Sequence, residues 1–591
     1  MNQQQVPQSL FGNQSNQQYQ QQSIYNQQQQ QNFQQFSQIP FQALPNFPLQ
    51  SNPPHSHNNI FGRQPQQYPQ QMFQAQPYQP SLFGMNTVKN QDIHTNFNDD
   101  EKIEPKKEEA KQNANKYNLN EKLSFEVKAL YKMGKLLNSR TQYLPGIVSI
   151  KAQDQAVIQN QENQRVGVDL ICLIDKSGSM NGQKIEMVKQ TLALLLDFLN
   201  ENDRYQLITF ESQAQRLTPL KRVTDGNKQY FKQVIQQINS GGGTTIGTAT
   251  EIAFKQLQER KYRNNVTSIF LLSDGQDGQA NQRIQEQIKT VNEVFTLHTF
   301  GFGEDHDAQM MTQLCNLKSG SFYFVQDVTL LDEFFADALG GLISVVGEQL
   351  EITLSSSAPP PYQDIQISKT YGNMWQKKGN QYYITQPQIA SGSRKDYVFE
   401  LALPKFEGKI EDNHRNVKVI EAVLKIKDPI NGAIITKQTS LTLTFFNQDE
   451  QINQNESDID VYAQYYRVKG TEVIDDARKA CEQNKNEDAQ KLIDNMLIQI
   501  QKNQNVAAQC TGIIQDLQQA KQASSRNTYN LFGQKQMCQM VSNNYQQGGV
   551  NSLFSATGAQ LQQVQPAAYS NACQQQMMFQ VQASKPNYKP S

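Results

Sequence analysis

From Val168 to Val346 the sequence alternates short apolar runs with helical patterns, and no other feature narrows the fold as far. Runs of strand length lie at Val168–Asp175, Tyr205–Phe210, Thr267–Ser273, Thr296–Phe302 and Ser321–Val325. Helical patterns fill the gaps at Gly182–Asn200, Lys228–Asn239, Gly247–Arg260, Asn281–Val294, Asp307–Asn316 and Leu330–Val346. The first of these carries Ile185, Val188, Leu192, Leu195, Leu196 and Leu199 at helical spacing, a broad core-facing stripe. The strand interiors are nearly unbroken apolar sequence, as in Ile269-Phe-Leu-Leu272, which fits strands covered on both faces. This alternation predicts an α/β domain built on a doubly wound, mostly parallel sheet at about residues 165–346.

Outside that stretch the period changes. Ser124–Tyr131 and Gly146–Ala152 read as two strands within residues 120–160. After Gly347 come Gln349–Ser355, Asp364–Ser368, Gln381–Thr385, Lys395–Leu403, Val417–Ile426 and Ser440–Phe446, separated by Pro, Gly, Asn and Asp turns. Strands with no helices between them predict an antiparallel β-sandwich over 347–450. The two early strands would complete it, making the α/β domain an insertion. Residues 458–524 read as a helical region, opening with a helical hairpin whose halves, Val461–Cys481 and Leu492–Ile500, flank a polar break at Gln483–Asp488. Residues 1–115 are a Gln/Asn-rich arm and 525–591 a Gln-rich tail, both expected to be disordered because such sequence cannot bury enough apolar surface to offset chain entropy. Phe-Gly tetrapeptides recur at Ser9–Gly12, Asn59–Gly62, Ser81–Gly84 and Asn530–Gly533.

The formal net charge of −1 gives no reason to expect a nucleic-acid partner. Six scattered cysteines without a CxxC pair argue against a disulfide framework or zinc ribbon and for a reducing compartment. The opening Met-Asn-Gln-Gln-Gln lacks a basic and apolar leader, and the run Leu192–Leu199 is too short to span a membrane. The cytoplasm is therefore the expected location, with the nucleus as the alternative.

Chemistry concentrates at the strand ends. Ligands of open α/β sheets bind at the carboxyl edge of the strands, and three segments bring oxygen side chains there. They are Asp175-Lys-Ser177-Gly-Ser179, Ser240-Gly-Gly-Gly-Thr244-Thr245 and Asp274-Gly275. Carboxylates and hydroxyls are ligands of hard cations. Ser-Gly-Ser before a helix also has an ordinary reading as a helix N-cap. A P-loop reading of the glycines fails because the Gly-Lys-Ser/Thr ending is missing. A phosphotransfer reading of Asp175 as nucleophile lacks the second acidic residue, whose place Ser177 takes. His298, His306 and Asp277 are expected to be structural or surface residues.

Asp175-Lys-Ser177-Gly-Ser179-Met, Gly242-Gly-Thr244 and Leu271-Leu-Ser-Asp274-Gly resemble the metal-ion-dependent adhesion site of a von Willebrand factor A domain. Asn202–Phe210 resembles the second strand of that family. The resemblance implies a metal held by Asp175, Ser177, Ser179, Thr244 and Asp274, with Thr245 a competitor for the place of Thr244. It implies Mg²⁺ or Mn²⁺ ahead of Ca²⁺, and a protein partner presenting Asp or Glu. The β region and helices that follow resemble the intein-like accessory region of intracellular members. Because no RING-like Cys/His cluster or U-box pattern is visible, ligase activity is not expected. The expectation is a metal-dependent binding scaffold and not an enzyme. The alternatives are a ubiquitin-pathway or phosphotransfer component, or a Phe-Gly-repeat protein of nuclear transport or condensates.

Overall fold

The computed structural model describes Phe97, Asp99, Glu101 and residues 118–154, 165–452, 456–549 and 569–585. Seventeen strands occur among them. They are β1 Leu123–Ala129, β2 Met133–Lys135, β3 Gln142–Ala152, β4 Val168–Asp175, β5 Arg204–Phe210, β6 Ala214–Arg216, β7 Lys221–Arg222, β8 Val266–Ser273, β9 Thr296–Phe302, β10 Phe322–Val325, β11 Val345–Ser356, β12 Gln366–Thr370, β13 Trp375–Lys378, β14 Gln381–Ala390, β15 Arg394–Leu403, β16 Asn416–Lys427 and β17 Ile434–Phe446. The main helices are α1 Gln183–Phe198, α2 Asp225–Gln236, α3 Ile246–Glu259, α4 Ala280–Thr290, α5 Ala308–Leu317, α6 Leu331–Ile343, α7 Ile459–Glu482, α8 Asn486–Gln501, α9 Gln504–Gln509, α10 Thr511–Ala523, α11 Gln534–Gln546 and α12 Ala572–Ser584.

The α/β sheet has the order β10-β9-β8-β4-β5-β6, with β7 also on β5. Its five central strands run parallel, and β6 and β7 turn back antiparallel against β5. Every residue of β4, β5, β8 and β9 is buried, which is what nearly continuous apolar strands require. Alternate residues of β4 feed two cores. Leu170, Cys172 and Ile174 pack with Val188, Leu192 and Leu196 of α1 and Phe334 and Leu339 of α6. Ile171 and Leu173 pack with Phe254 and Leu257 of α3 and Met311 and Leu314 of α5. The chain leaves β4 for β5 on one side and returns to β8 on the other. Such a reversal opens a crevice at the strands' carboxyl ends.

Two further sheets face each other across one core. One has the order β1-β3-β15-β12 and the other β13-β14-β11-β16-β17-β2. β3 pairs antiparallel with β15, joining sequence from before and after the α/β domain. That domain enters after β3 and leaves at β11. Helices α7 to α11 share a core of their own that includes Ile474, Ile493, Leu517 and Met540.

Residues 458–524 hold α7 and α8, either side of the break at Gln483–Asp488, then α9, capped by the Asn503 side chain, and α10. One expectation changes here. The expectation of disorder across 525–591 fails where the tail is described, at 525–549 and 569–585. Gln and Asn there are buried because their amides are paired. Asn544 Nδ2 donates to Asp516 at 2.6 Å, Gln546 Nε2 to Asn316 at 2.9 Å, and Gln547 Oε1 accepts from the Asp396 amide at 2.8 Å. A polar sequence can be interior when each group has a partner. α12 then docks on α6, with Met577, Met578 and Val581 buried and Gln574 Nε2 donating to Asp337 at 2.9 Å. The fit needs Gly340, where an added Cβ would stand 2.8 Å from the Gln574 Cα. Asn530–Gly533 belongs to a π-helical turn leading into α11; the other Phe-Gly motifs lie outside the described residues. No helix of the described residues is long and apolar enough to cross a membrane.

Candidate metal centre

β4 ends on Asp175 and β8 on Ser273, so Asp175 and Asp274 emerge side by side at the switch in strand order. Both are buried. Asp175 is anchored from two directions: its Oδ1 accepts from the Ser177 amide at 2.8 Å and its Oδ2 from the Ser273 hydroxyl at 2.5 Å. Ser273 Oγ in turn accepts from the Gly275 amide at 3.1 Å, tying the two strand ends together. Burial pushes the Asp175 carboxyl up, the bonds from Ser273 and Ser177 oppose the rise, and the neighbouring Asp274 charge adds to it.

The hydroxyls converge on the same point. Ser177 Oγ and Ser179 Oγ are 3.0 Å apart, and Ser179 Oγ donates to Asp274 Oδ1 at 2.7 Å. Neither caps a helix: Gly178–Met180 is a 3₁₀ turn without a side-chain cap, and α1 begins after Gly182 at φ +82°. The ordinary N-cap reading of these serines therefore fails. Thr244 leans on the loop after β8, since a Cβ on Gly275 would come within 2.7 Å of its Oγ1. The Thr245 amide donates to Glu211 O at 2.7 Å and its carbonyl accepts from the Thr248 hydroxyl.

The glycine loop is stitched to the first loop by Gly241 N to Lys176 O at 2.7 Å and Gly178 N to Gly242 O at 3.0 Å. Gly242 has φ +82°, a left-handed conformation that favours glycine, and an added Cβ would also push the Glu211 carboxylate aside. Asp277 is not a loose surface residue. Its Oδ2 accepts from the Ile246 amide at 2.9 Å and so holds the start of α3 against the third loop.

Lys184, in the first turn of α1, was not legible as a site residue. Its Nζ lies 2.5 Å from Asp274 Oδ2, an internal positive charge beside the buried carboxylates. Its place two residues past the helix-opening Gly182, on the site side of α1, is the signal that could have found it. Glu211, which pairs with Lys176 at 3.1 Å, escaped for the same reason. His306 is buried against Phe322 and Phe324, and His298 accepts from the Ser321 amide at 3.2 Å; both are structural. Among the described residues no cluster of three His, Cys, Asp or Glu forms, so any cation here would rest on two carboxylates plus hydroxyls.

The family model of the von Willebrand factor type A domain matches residues 169–337. Those residues form a von Willebrand factor type A domain. Such an A domain is a protein-interaction module. Over 253 residues the chain is 28% identical to E3 ubiquitin-protein ligase WAV3 of Arabidopsis thaliana, covering 41% of this chain and 32% of that protein. Over 137 residues it is 34% identical to E3 ubiquitin-protein ligase WAVH1 of the same plant, covering 21% of this chain and 20% of that protein. The chain thus spans a third or less of the length of these relatives. A solved structure of a von Willebrand factor type A protein from Catenulispora acidiphila superposes with a TM-score of 0.55 at 14% identity. It covers 71% of this chain and 96% of that one, so the shared fold extends well beyond the A domain.

The relatives correct one expectation. The absence of a RING-like cluster or U-box pattern argued that the chain is not an enzyme, yet these relatives are named ubiquitin-protein ligases.

Proposed function

We propose that the A domain is a divalent-metal-dependent protein-binding module that captures a partner carboxylate. The observation that carries this reading is the convergence of Asp175, Ser177, Ser179, Thr244 and Asp274 on one crevice with a lysine ammonium drawn into it. Two buried carboxylates call for a compensating positive charge, and Lys184 shows that the site accepts one. The donor set is all oxygen, which suits Mg²⁺ or Mn²⁺. Ser177, Ser179 and Thr244 would offer hydroxyls to the ion, with Asp175 and Asp274 acting directly or through water. A metal held mostly by neutral ligands keeps positive charge for an incoming Asp or Glu. The chain's own residues would orient this arrangement: Ser273 holds Asp175, and the Gly242 turn would bring Thr244 to it beside Gly275.

Pull-downs from a cell extract with wild type and Asp175→Ala, each with Mg²⁺ or with chelator, test this reading. Partners should be recovered only by wild type with Mg²⁺; equal recovery in all four arms contradicts it. The ligase names of the relatives favour a second reading, in which the A domain holds a substrate or partner for ubiquitin transfer. Reconstitution with ubiquitin, activating enzyme and a panel of conjugating enzymes tests it. Conjugates that depend on this chain would support that reading, and none with any conjugating enzyme would count against it.

A further inference from the structure

The far edge of the A-domain sheet carries a second recognition surface. Among the described residues β6 and β7 pair only with β5; the Leu217 amide donates inward to Leu207 O at 2.9 Å, while the Leu220 and Arg222 amides face outward. Three residues of the N-terminal arm lie against it. Asp99 accepts from Arg216 Nη2 through both carboxylate oxygens, at 2.7 and 2.8 Å, and its Oδ1 also accepts from the Leu220 amide at 2.8 Å. Glu101 Oε2 accepts from the Arg222 amide at 2.9 Å. The Arg216 guanidinium stands 5.1 Å from the centroid of the Phe97 ring.

Phe97, Asp99 and Glu101, at alternate positions, all meet this edge, which is the period of side chains on one face of an extended chain. Phe97 and Asp99 meet Arg216, which pairs with Ile208, while Glu101 meets Arg222, which pairs with Arg204. The segment therefore runs away from the metal centre along β5. Charge matches as well: the edge presents Arg216, Lys221 and Arg222, and Asp99 and Glu101 lie against it. Asp99 and Arg216 are only 15% and 13% exposed, so this pair is shielded from water more than an ordinary surface ion pair. Backbone pairing at a sheet edge is largely blind to sequence. Here carboxylate side chains take the edge amides, and an arginine stacked on an aromatic ring adds a further demand.

We propose that this edge is a binding site for an acidic, extended Phe-x-Asp-x-Glu segment, filled in the folded chain by its own Phe97, Asp99 and Glu101. The site is separate from the metal centre and needs no metal. Because the ligand is tethered, its effective concentration is on the order of millimolar, enough to exclude a free peptide of the same sequence.

A fluorescein-labelled peptide of residues 94–104 tests this by anisotropy against the full chain. It should bind the Asp99→Ala/Glu101→Ala chain at least tenfold more tightly than wild type, with or without chelator. A peptide carrying Asp99→Lys and Glu101→Lys should bind that variant at least tenfold more weakly. Amide exchange at Leu220 and Arg222 should quicken in the variant and slow again with excess native peptide. Equal affinity for the two chains or for the two peptides, or unchanged exchange, overturns the proposal. A wild-type dimer that Arg216→Glu dissolves would overturn the assignment within one chain and make the edge an exchange surface between copies.

Discussion

Among the described residues Lys184 supplies the one ammonium that touches Asp274, and Lys184→Met removes it. Lys184 Nζ lies 2.5 Å from a carboxylate that is itself fully buried, while the lysine is 28% exposed. A hydrogen bond between charged groups contributes about 1.5–3 kcal/mol. Solvent at the lysine end reduces this to about 1–2 kcal/mol. A divalent cation entering the crevice must displace that ammonium or sit beside it, and loses this much affinity either way. Relieving the competition should tighten Mg²⁺ binding about 5- to 30-fold, at about 1.4 kcal/mol per factor of ten. Calorimetric titration of MgCl₂ into chelator-treated chain reads the change. Lys176→Met is the control, because Lys176 pairs with Glu211 and not with Asp175 or Asp274. Mg²⁺ affinity that is unchanged or weaker in Lys184→Met would refute the view that lysine and metal compete for one carboxylate.

Two predictions concern the frame that carries the site. Asp169, at the opposite end of β4, accepts from Arg204 at 2.8 and 2.5 Å and from Arg260 at 2.6 Å, all three being buried. Asp169→Ala leaves the buried Arg204 without a carboxylate and Arg260 with Glu293 alone, and should lower stability by about 3–5 kcal/mol in denaturant titration, leaving Mg²⁺ affinity intact; a loss under about 1 kcal/mol would count against an essential clamp. Burial holds His298 down to about 4 and His306 down to about 3, so both are neutral in the folded chain. An unfolded imidazole takes its proton near pH 6.5, so the unfolded state binds more protons below that pH. Stability should fall as pH drops from about 6.5 towards 4, by about 1.4 kcal/mol per pH unit for each imidazole. His306→Gln should remove one of those two contributions, and an unaltered slope would refute the burial argument.

What the sequence disclosed followed how local each signal was. The α/β domain was legible because its strands are apolar on both faces and its helices carry regular stripes, as with Ile185, Val188 and Leu192 of α1. The three loops of the site could be read because strand ends and Asp-x-Ser-x-Ser are local patterns. Lys184 and Glu211 could not, since their roles depend on which charge the fold sets opposite them. The tail misled for a related reason. Gln546 and Asn544 look like solvent-facing residues until partners more than twenty residues away satisfy their amides. Helix α12 has hardly any apolar face of its own, yet Met577, Met578 and Val581 are enough to seat it where Gly340 clears the space.

The central claim is that the crevice between β4 and β8 holds a divalent cation through side chains of this chain. Calorimetric titration of Mg²⁺ into the full chain is its most direct test, with Asp175→Asn, Ser179→Ala and Thr244→Val in parallel. One saturable site per chain in wild type, lost in Asp175→Asn and weakened in the two hydroxyl variants, is the result predicted. No saturable heat in wild type, or the same isotherm in all four proteins, would contradict it.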